Sequence, residues 1–177
     1  MGRRTRTFYA SPSAAIVFST VVFSCCIRKH TDEDSYIVRK SHSGKYQVIK
    51  CGDYYNKLKS EVLATYPLEL KENYSVDIRF SNGLEKRLVV HLVAVMPVHD
   101  NHKVNLHLDF STVDALKAHM MEVVSEEFNN AFPRMTYETY ARAPQVMRAV
   151  SKSVTYKLER DGLSIHTFVV SEMPTSS

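Results

Sequence analysis

The stretch VDIRFSNGLEKRLVVHLVAVMP, residues 76–97, has the most regular pattern in the chain and predicts a β-hairpin. Val76, Ile78 and Phe80 alternate with Asp77 and Arg79, which is the period of a half-buried strand. The Ser-Asn-Gly that follows is a turn sequence, because Asn and Gly accept a positive φ at low cost. Two strands alone are not stable in water, so more of the chain must pack on this hairpin.

The return strand of the hairpin, residues 88–96, is apolar on both faces. One face is formed by Leu88, Val90, Leu92, Ala94 and Met96, and the other by Val89, Val93 and Val95 together with His91. A strand of this kind is typical of a sheet that is covered on both sides, and we predict that both faces are buried. Pro97 ends the strand, because proline has no N–H to donate to a neighbouring strand.

Composition predicts one folded domain and argues against a nucleic-acid-binding protein. The chain has 177 residues and 44% hydrophobic content, enough for a core, and it shows no internal repeat. Its formal net charge is +4, but five basic and no acidic residues lie in the first 30 positions, so the remainder carries −1. A nearly neutral body lacks the basic face that nucleic acid requires.

The N-terminal segment, residues 1–30, resembles a membrane anchor or signal segment. Residues 7–27 contain no charge, and a helix of that length crosses about 30 Å of hydrocarbon. Three interpretations remain open: a retained single-pass anchor, a cleaved or lipid-modified signal with a loose lipobox ending at Cys25, and a buried or disordered terminus. The basic residues before the span favour a cytoplasmic N-terminus, with the body on the non-cytoplasmic side.

The body, residues 31–177, reads as strands followed by helices and a final strand, which is an α+β order. Two strands are predicted around Ser43 and Gly44, another in EVLATYPLEL, and a closing strand in LSIHTFVVSEMP. The segment that follows the hairpin, residues 98–110, is polar, and we predict that it is irregular until residues 105–110.

Two helical segments are predicted between the hairpin and the closing strand. Ser111 is the expected N-cap of the first, with Asp114 in the position of a capping box, and Thr136 caps the second. Pro144 either kinks the second segment or starts a new helix, and Gly162 is a plausible C′ residue. The apolar stripes are Val113, Leu116, Met120, Val124 and Phe128 in the first segment, and Val146, Val150, Val154 and Leu158 in the second.

In this order, the motifs resemble the SPFH family of stomatin, prohibitin, flotillin, HflK and HflC, and in particular the prohibitin-like membrane proteins of tailed bacteriophages. The turn IRFSNG and the strand end VAVMP match the family's hairpin, and Met135, Thr136, Glu138 and Tyr140 match its MT-x-E-x-Y helix entry. CGDYYNKLKSEVLATYP occupies the place of the family's PG-x-Y and following YP. The resemblance spans residues 35–174.

The resemblance implies an SPFH-like domain of N-terminal β-hairpins, two helices and a closing strand, behind an N-terminal membrane anchor. Cys51 and Gly52 stand where the family has Pro-Gly. Family members continue into a long coiled coil that helps close large rings, and no heptad pattern follows residue 174. The expected domain therefore lacks the usual C-terminal coiled coil.

The sequence predicts no catalytic, cofactor-binding or metal site. His99, Asp100, His102 and His107, with His91 nearby, are the strongest candidates for metal ligands, but they read as solvated loop histidines. Cys51 is expected to be a small core residue, and Glu126 and Glu127 a solvated helix face. No nucleophile elbow, HExxH or Gly-rich phosphate loop is present in the sequence.

The function that the resemblance implies is non-enzymatic. A membrane-anchored scaffold of this kind self-associates into a homo-oligomer on membrane lipids and organises a membrane patch or regulates a membrane protease. The alternative is a lipid-anchored or secreted binding protein whose partner is soluble. Neither interpretation includes nucleic acid as a partner or requires a cofactor.

Overall fold

The computed structural model describes residues 27–172 and has the predicted α+β order of strands, then helices, then a closing strand. The strands are β1 (Ile27–Lys29), β2 (Ser35–Ser41), β3 (Tyr46–Ile49), β4 (Tyr54–Asn56), β5 (Ser60–Pro67), β6 (Glu69–Arg79), β7 (Glu85–Val95) and β8 (Ser164–Glu172). The helices are α1 (Asp100–Phe110), α2 (Val113–Ala131), a 3-10 turn (Phe132–Arg134), α3 (Tyr137–Arg142) and α4 (Pro144–Arg160).

The N-terminal half contains an antiparallel sheet of order β3–β2–β5 and a two-stranded ribbon, β1–β4. β2 and β3 are the two strands predicted around Ser43 and Gly44, and Gly44 has a φ of +82° in their turn. Ile27–Lys29, which the sequence assigns to the N-terminal segment, pairs with β4, and the amide of His30 donates to the carbonyl of Asp53 at 2.9 Å. The folded body therefore begins no later than Ile27.

The predicted hairpin forms β6 and β7 of the second large sheet, of order β6–β7–β8, in which β7 is the central strand. β6 and β7 pair without interruption from Glu69 with Val95 to Arg79 with Glu85, and Gly83 takes a φ of +81° in the turn. The predicted register is confirmed, because every residue assigned to the inner face is buried: Val76, Ile78, Phe80, Leu88, Val90, Leu92, Ala94 and Met96. These side chains form the floor of the main core.

The prediction that β7 is covered on both faces is wrong for the described residues. Val89, His91 and Val95 on its outer face are only half-buried, and Val93 is the one residue of that face that is buried. The helices α2 and α4 pack on the inner face, against β6 and β8 respectively. Apart from Val93, the apolar residues of the outer face therefore remain partly exposed.

Helix α1 replaces the irregular segment that the sequence predicted between the hairpin and the first helix. It begins after His99 and ends at Ser111, which has a φ of +61° and donates its amide to the carbonyl of His107 at 2.7 Å. Ser111 is therefore the residue that closes α1, and the prediction that it caps the next helix is wrong. Thr112 caps α2 instead, with its hydroxyl oxygen accepting from the amide of Ala115 at 3.1 Å.

The other helix boundaries follow the sequence signals. Thr136 caps α3 by accepting from the amide of Thr139, and Pro144 begins α4 in its first turn, where a missing N–H has no cost. Gly162 has a φ of +92° immediately after α4, and the amide of Leu163 donates back to the carbonyl of Leu158 at 3.1 Å. The predicted stripes are buried at Leu116, Met120, Val124, Phe128, Val150, Val154 and Leu158.

The predicted anchor of residues 7–27 lies almost wholly outside the described residues, which include only Ile27 of it. None of the helices within residues 27–172 has both the length and the hydropathy needed to cross a bilayer.

Candidate interaction surfaces

The residues considered as metal ligands are distributed over separate environments. The rings of His99 and His102 lie at the start of α1 with centroids 5.8 Å apart, and the carboxylate of Asp100 pairs with the ammonium of Lys50 at 2.9 Å. His91 lies on the outer face of β7. Within residues 27–172, no group of three or more His, Cys, Asp or Glu side chains is arranged to hold a metal ion.

His107 belongs to a buried cluster that the sequence interpretation missed. Its Nδ1 lies 3.0 Å from the hydroxyl of Tyr66, whose ring stacks on that of Tyr36 with centroids 5.4 Å apart. Lys103, one helical turn earlier in α1 and only 5% exposed, places its ammonium 4.6 Å from the centre of the Tyr36 ring. This cluster fastens α1 to the first sheet through a cation–π contact and a hydrogen bond.

Burial governs the ionisation of this cluster. It raises the pKa of Tyr36, with the neighbouring Tyr66 adding to the effect, and it raises the pKa of Tyr66 to about 12. Burial also lowers the pKa of Lys103, helped by the positive charge of Lys50 and opposed by Asp100. The hydroxyl of Tyr36 is buried and has no hydrogen-bond partner among the described residues. The ring of Tyr66 contacts both that of Tyr36 and that of His107, and we interpret this closely packed cluster as structural.

We expect His107 to make stability depend on pH. Burial lowers its pKa in the folded chain, so the unfolded chain binds the proton more readily. The free energy of unfolding is therefore highest above the ordinary histidine pKa of about 6.5 and falls as the pH drops below it. Urea unfolding between about pH 7.5 and about pH 5.5 measures this loss, which His107→Gln should reduce. His166→Gln, at an exposed position of β8, is the matched control. Equal slopes for the native chain and His107→Gln would contradict the assignment.

Two further residues differ from their predicted environments. Cys51 is exposed, because it lies in the turn between β3 and β4, where Gly52 takes a φ of +91°. Glu127 is largely buried, and the ammonium of Lys157 from α4 lies 2.7 Å from its carboxylate and 2.9 Å from that of Glu126. Burial alone would raise the pKa of Glu127, but hydrogen bonds from Lys157 and Ser153 hold that pKa below its usual value. Glu126 and Glu127 were predicted to form a solvated helix face, but through Lys157 they contribute to the contact between α2 and α4.

A groove runs between α4 and the edge strand β8. Met147 and Ser151 of α4, Phe168 and Val170 of β8 and Tyr140 of α3 form its floor and end. Arg148 and Lys152 stand on its rim, one helical turn apart on α4. The main cavity has a volume of about 400 Å³, and a neighbouring cavity at Tyr140 and Met147 extends it towards Pro144 and Glu172. The groove is apolar at its base and basic at its rim.

The outer face of the β6–β7–β8 sheet is a second candidate surface, which we call the valine face. Its centre is formed by Val89, Val93 and Val95 of β7 and by Val169 of β8, which is 54% exposed. Paired charges surround this centre, including the guanidinium of Arg87, which donates to both carboxylate oxygens of Asp77 at 2.6 and 2.9 Å. An apolar centre inside a polar rim is the usual anatomy of a protein interface.

The β1–β4 ribbon carries a third surface, which we call the basic-aromatic patch. Tyr54 is 67% exposed and Leu58 is 66% exposed, and the ammonium of Lys29 lies 5.6 Å from the centre of the Tyr54 ring. Lys57 and Lys59 lie in the adjoining turn and at the edge of β5. Exposed aromatic and aliphatic side chains among lysines are typical of surfaces that meet a membrane interface.

Sequence reasoning predicted the elements that carry these surfaces but not the surfaces themselves. The groove joins residues of α4 and β8 with Tyr140 of α3, and only the packing of the helices on the sheet brings them together. The sequence pattern showed that β7 has a second apolar face, which became the valine face, but this face was predicted to be buried in the core. No protein-family model matches the chain, and no curated protein matches it.

Proposed function

We propose that the protein is a non-enzymatic scaffold of the SPFH type, held at a membrane by its N-terminal segment and self-associating along the membrane surface. The order of hairpins, helices and closing strand that suggested the SPFH resemblance is compatible with the α+β arrangement of residues 27–172. The proposal includes membrane lipids and further copies of the chain as partners, and it includes regulation of a membrane protease as one outcome of such assembly.

The basic-aromatic patch is the observation that carries the membrane part of the proposal. The uncharged stretch of residues 7–27 ends at Ile27, the first residue of β1, and β1 pairs with β4. A span that ends there brings Tyr54 and Leu58 to the bilayer surface, where a tyrosine ring and an aliphatic side chain are stabilised. The lysines around them are attracted by anionic headgroups, at about 1 kcal/mol for each cation close to the surface.

The valine face supports the self-association part. The sequence pattern of β7 is typical of a strand that is buried on both faces. A second copy of the chain can cover the apolar centre of the valine face in a face-to-face contact. The face is small and its charged rim is screened by salt, so the contact is weak in solution. Confinement to a membrane raises the effective concentration and allows weak contacts to form clusters.

The test is fractionation and cysteine crosslinking of the full chain in membranes. Cys25, Cys26 and Cys51 are replaced by serine, and Val169→Cys then places one thiol on the valine face. We expect the chain to remain in the membrane fraction after an alkaline wash. We also expect Val169→Cys to form disulfide-linked dimers on mild oxidation, because two copies of this face meet.

Two matched variants complete this experiment. Val17→Arg with Val21→Arg should release the chain or block insertion, since each charge at the centre of a span costs about 2.5–3.5 kcal/mol. Tyr156→Cys, on an exposed face of α4, should crosslink much less than Val169→Cys. Recovery of the unaltered chain in the soluble fraction would refute the anchor, and equal crosslinking at the two positions would refute association through the valine face.

A further inference from the structure

β8 is the edge strand of its sheet among the described residues, because it pairs with β7 on one side only. An edge strand presents a row of backbone N–H and C=O groups that another strand can pair with. Folded proteins usually block such edges with lysine, proline, bulges or very short strands. β8 has nine residues, SIHTFVVSE, with no lysine, arginine or proline and a single carboxylate at its end. Its one bulge lies near its start, where His166 has no partner on β7, and residues 167–172 pair regularly. Its outer edge is thus suited to strand addition.

The groove between α4 and β8 lies along this edge. Phe168 and Val170 pair with Leu92 and Val90, so they lie on the inner face of the sheet, towards α4. A strand added beside β8 would direct alternate side chains to the same side, over Met147 and the rest of the groove floor. Main-chain pairing with pockets for alternate side chains is a common way of binding an extended peptide.

The rim of the groove specifies the charge of such a peptide. Arg148 and Lys152 are exposed, and neither has an ion-pair partner among the described residues. They are separated by four residues on a helix, a rise of about 6 Å. Residues two apart on a strand are separated by about 6.6 Å. Two carboxylates at positions i and i+2 of an extended peptide therefore match these two cations in spacing.

The other end of the groove favours an apolar side chain. Tyr140, Pro144 and Met147 line it, and the carboxylate of Glu172 lies beside it, where a second carboxylate would be repelled. We propose that the groove between α4 and β8 binds an extended acidic segment of another protein by strand addition. One large apolar side chain of that segment lies against Tyr140 and Met147, and two carboxylates pair with Arg148 and Lys152. This binding site is independent of the anchor and of the valine face.

A second copy of the chain fits this groove poorly. Pairing two β8 strands about a two-fold axis would bring the Arg148 and Lys152 of both copies close to each other, and like charges at close range are unfavourable. β8 itself carries only one carboxylate, Glu172, so it cannot supply two acids at the required spacing. The charge of the rim therefore favours an acidic partner over self-pairing.

The test uses three fluorescent peptides and the full chain purified in detergent, with binding measured by fluorescence anisotropy at low salt. GSFTETETSG carries one phenylalanine and two glutamates at alternate positions, GSFTKTKTSG reverses the charges, and GSFTEPETSG keeps them but places a proline in the strand. We expect the first peptide to bind about tenfold more tightly than either of the others, because the second opposes the rim and the third disrupts the β ladder. Raising the salt from about 50 mM to about 500 mM should weaken this binding.

Charge reversal on the protein gives the decisive comparison. Arg148→Glu with Lys152→Glu should weaken binding of GSFTETETSG about tenfold and make GSFTKTKTSG the preferred peptide. Arg134→Glu with Arg160→Glu changes the net charge equally at exposed positions away from the groove, and it should leave the preference unchanged. Circular dichroism checks that both double variants are folded.

Three results would overturn the proposal. One is the absence of binding of GSFTETETSG at about 1 mM, where even the weakest specific peptide contacts are measurable. Another is an equal loss of binding in both double variants, which would mean that the peptide responds only to overall charge. The third is a dimer of the chain that Phe168→Glu dissociates and that the peptide does not displace, which would assign the groove to a second copy.

Discussion

Val90→Asp is expected to abolish the folded state. Val90 is fully buried at the centre of β7, paired with Tyr74 on β6 and Val170 on β8. No described cation within the core could pair with an aspartate at this position. Burying an unpaired neutral polar group already costs several kcal/mol, and burying an unpaired charge costs more. Since a domain of this size is stable by only about 5–15 kcal/mol, this single change should remove its cooperative unfolding transition. Circular dichroism and limited proteolysis measure the loss.

Val89→Asp is the matched control for this substitution. It places the same side chain one residue earlier, on the half-buried valine face, where the carboxylate remains in contact with water. We expect a folded protein with a modest loss of stability and with weaker crosslinking through Val169→Cys. Similar unfolding in the two variants would mean that the inner and outer faces of β7 are assigned incorrectly.

Phe132→Ala should lower the free energy of unfolding by about 3–5 kcal/mol, the usual cost of truncating a buried phenylalanine. Phe132 is fully buried at the end of α2, and its ring contacts those of Phe128, Phe80 and Tyr140 at centroid distances of 5.4, 5.6 and 5.3 Å. The ring thus joins α2, the tip of the hairpin and α3. Its loss leaves a cavity that three separate elements line, and they cannot all move to fill it.

Urea denaturation monitored by circular dichroism measures this cost. Tyr156→Ala is the control, because Tyr156 is a large aromatic residue on α4 with most of its surface exposed. That control should change stability by no more than about 0.5 kcal/mol. A loss below about 1 kcal/mol in Phe132→Ala would show that the aromatic cluster does not hold these elements together.

The parts of the fold that the sequence predicted correctly are those set by local periodicity and turn chemistry. The alternation in residues 76–96 gave the register of the hairpin, because a shift by one residue would expose every inner side chain. Gly83 and Gly162 marked the hairpin turn and the end of α4, since both require a positive φ. The mixed α+β class followed from the order of these elements.

Helix α1 was missed because its buried face is not apolar. The residues that it buries are Lys103, Leu106 and His107, and two of these three carry polar side chains. Their burial depends on Tyr36 and Tyr66, which lie in strands about 40 to 70 residues earlier in the chain and supply the cation–π contact and the hydrogen bond. A search for apolar spacing cannot detect a helix of this kind.

The interaction surfaces depend on contacts between distant elements, and for this reason the sequence indicated them only in part. β8 was predicted as a closing strand, but its position at the edge of the sheet is a matter of topology. In the sequence, Arg148 and Lys152 are ordinary charges on the polar side of an amphipathic helix. Only the packing of α4 beside β8 turns those charges into the rim of a groove.

The short β1–β4 ribbon has a mechanical consequence if the chain is tethered through its N-terminus. A pulling force on the body would pass first through Ile27–Lys29, which is held by three residue pairs, and by the backbone bonds of His30 with Gly52 and Asp53. Because β1 pairs with nothing but β4 among the described residues, it can peel away while the two larger sheets remain intact. Releasing residues 27–34 would add to the tether a segment with an extended length of about 26–29 Å, at about 3.3–3.6 Å per residue, less the distance that it already spans in the fold. The ribbon would then act as an extensible link that limits the tension reaching the core.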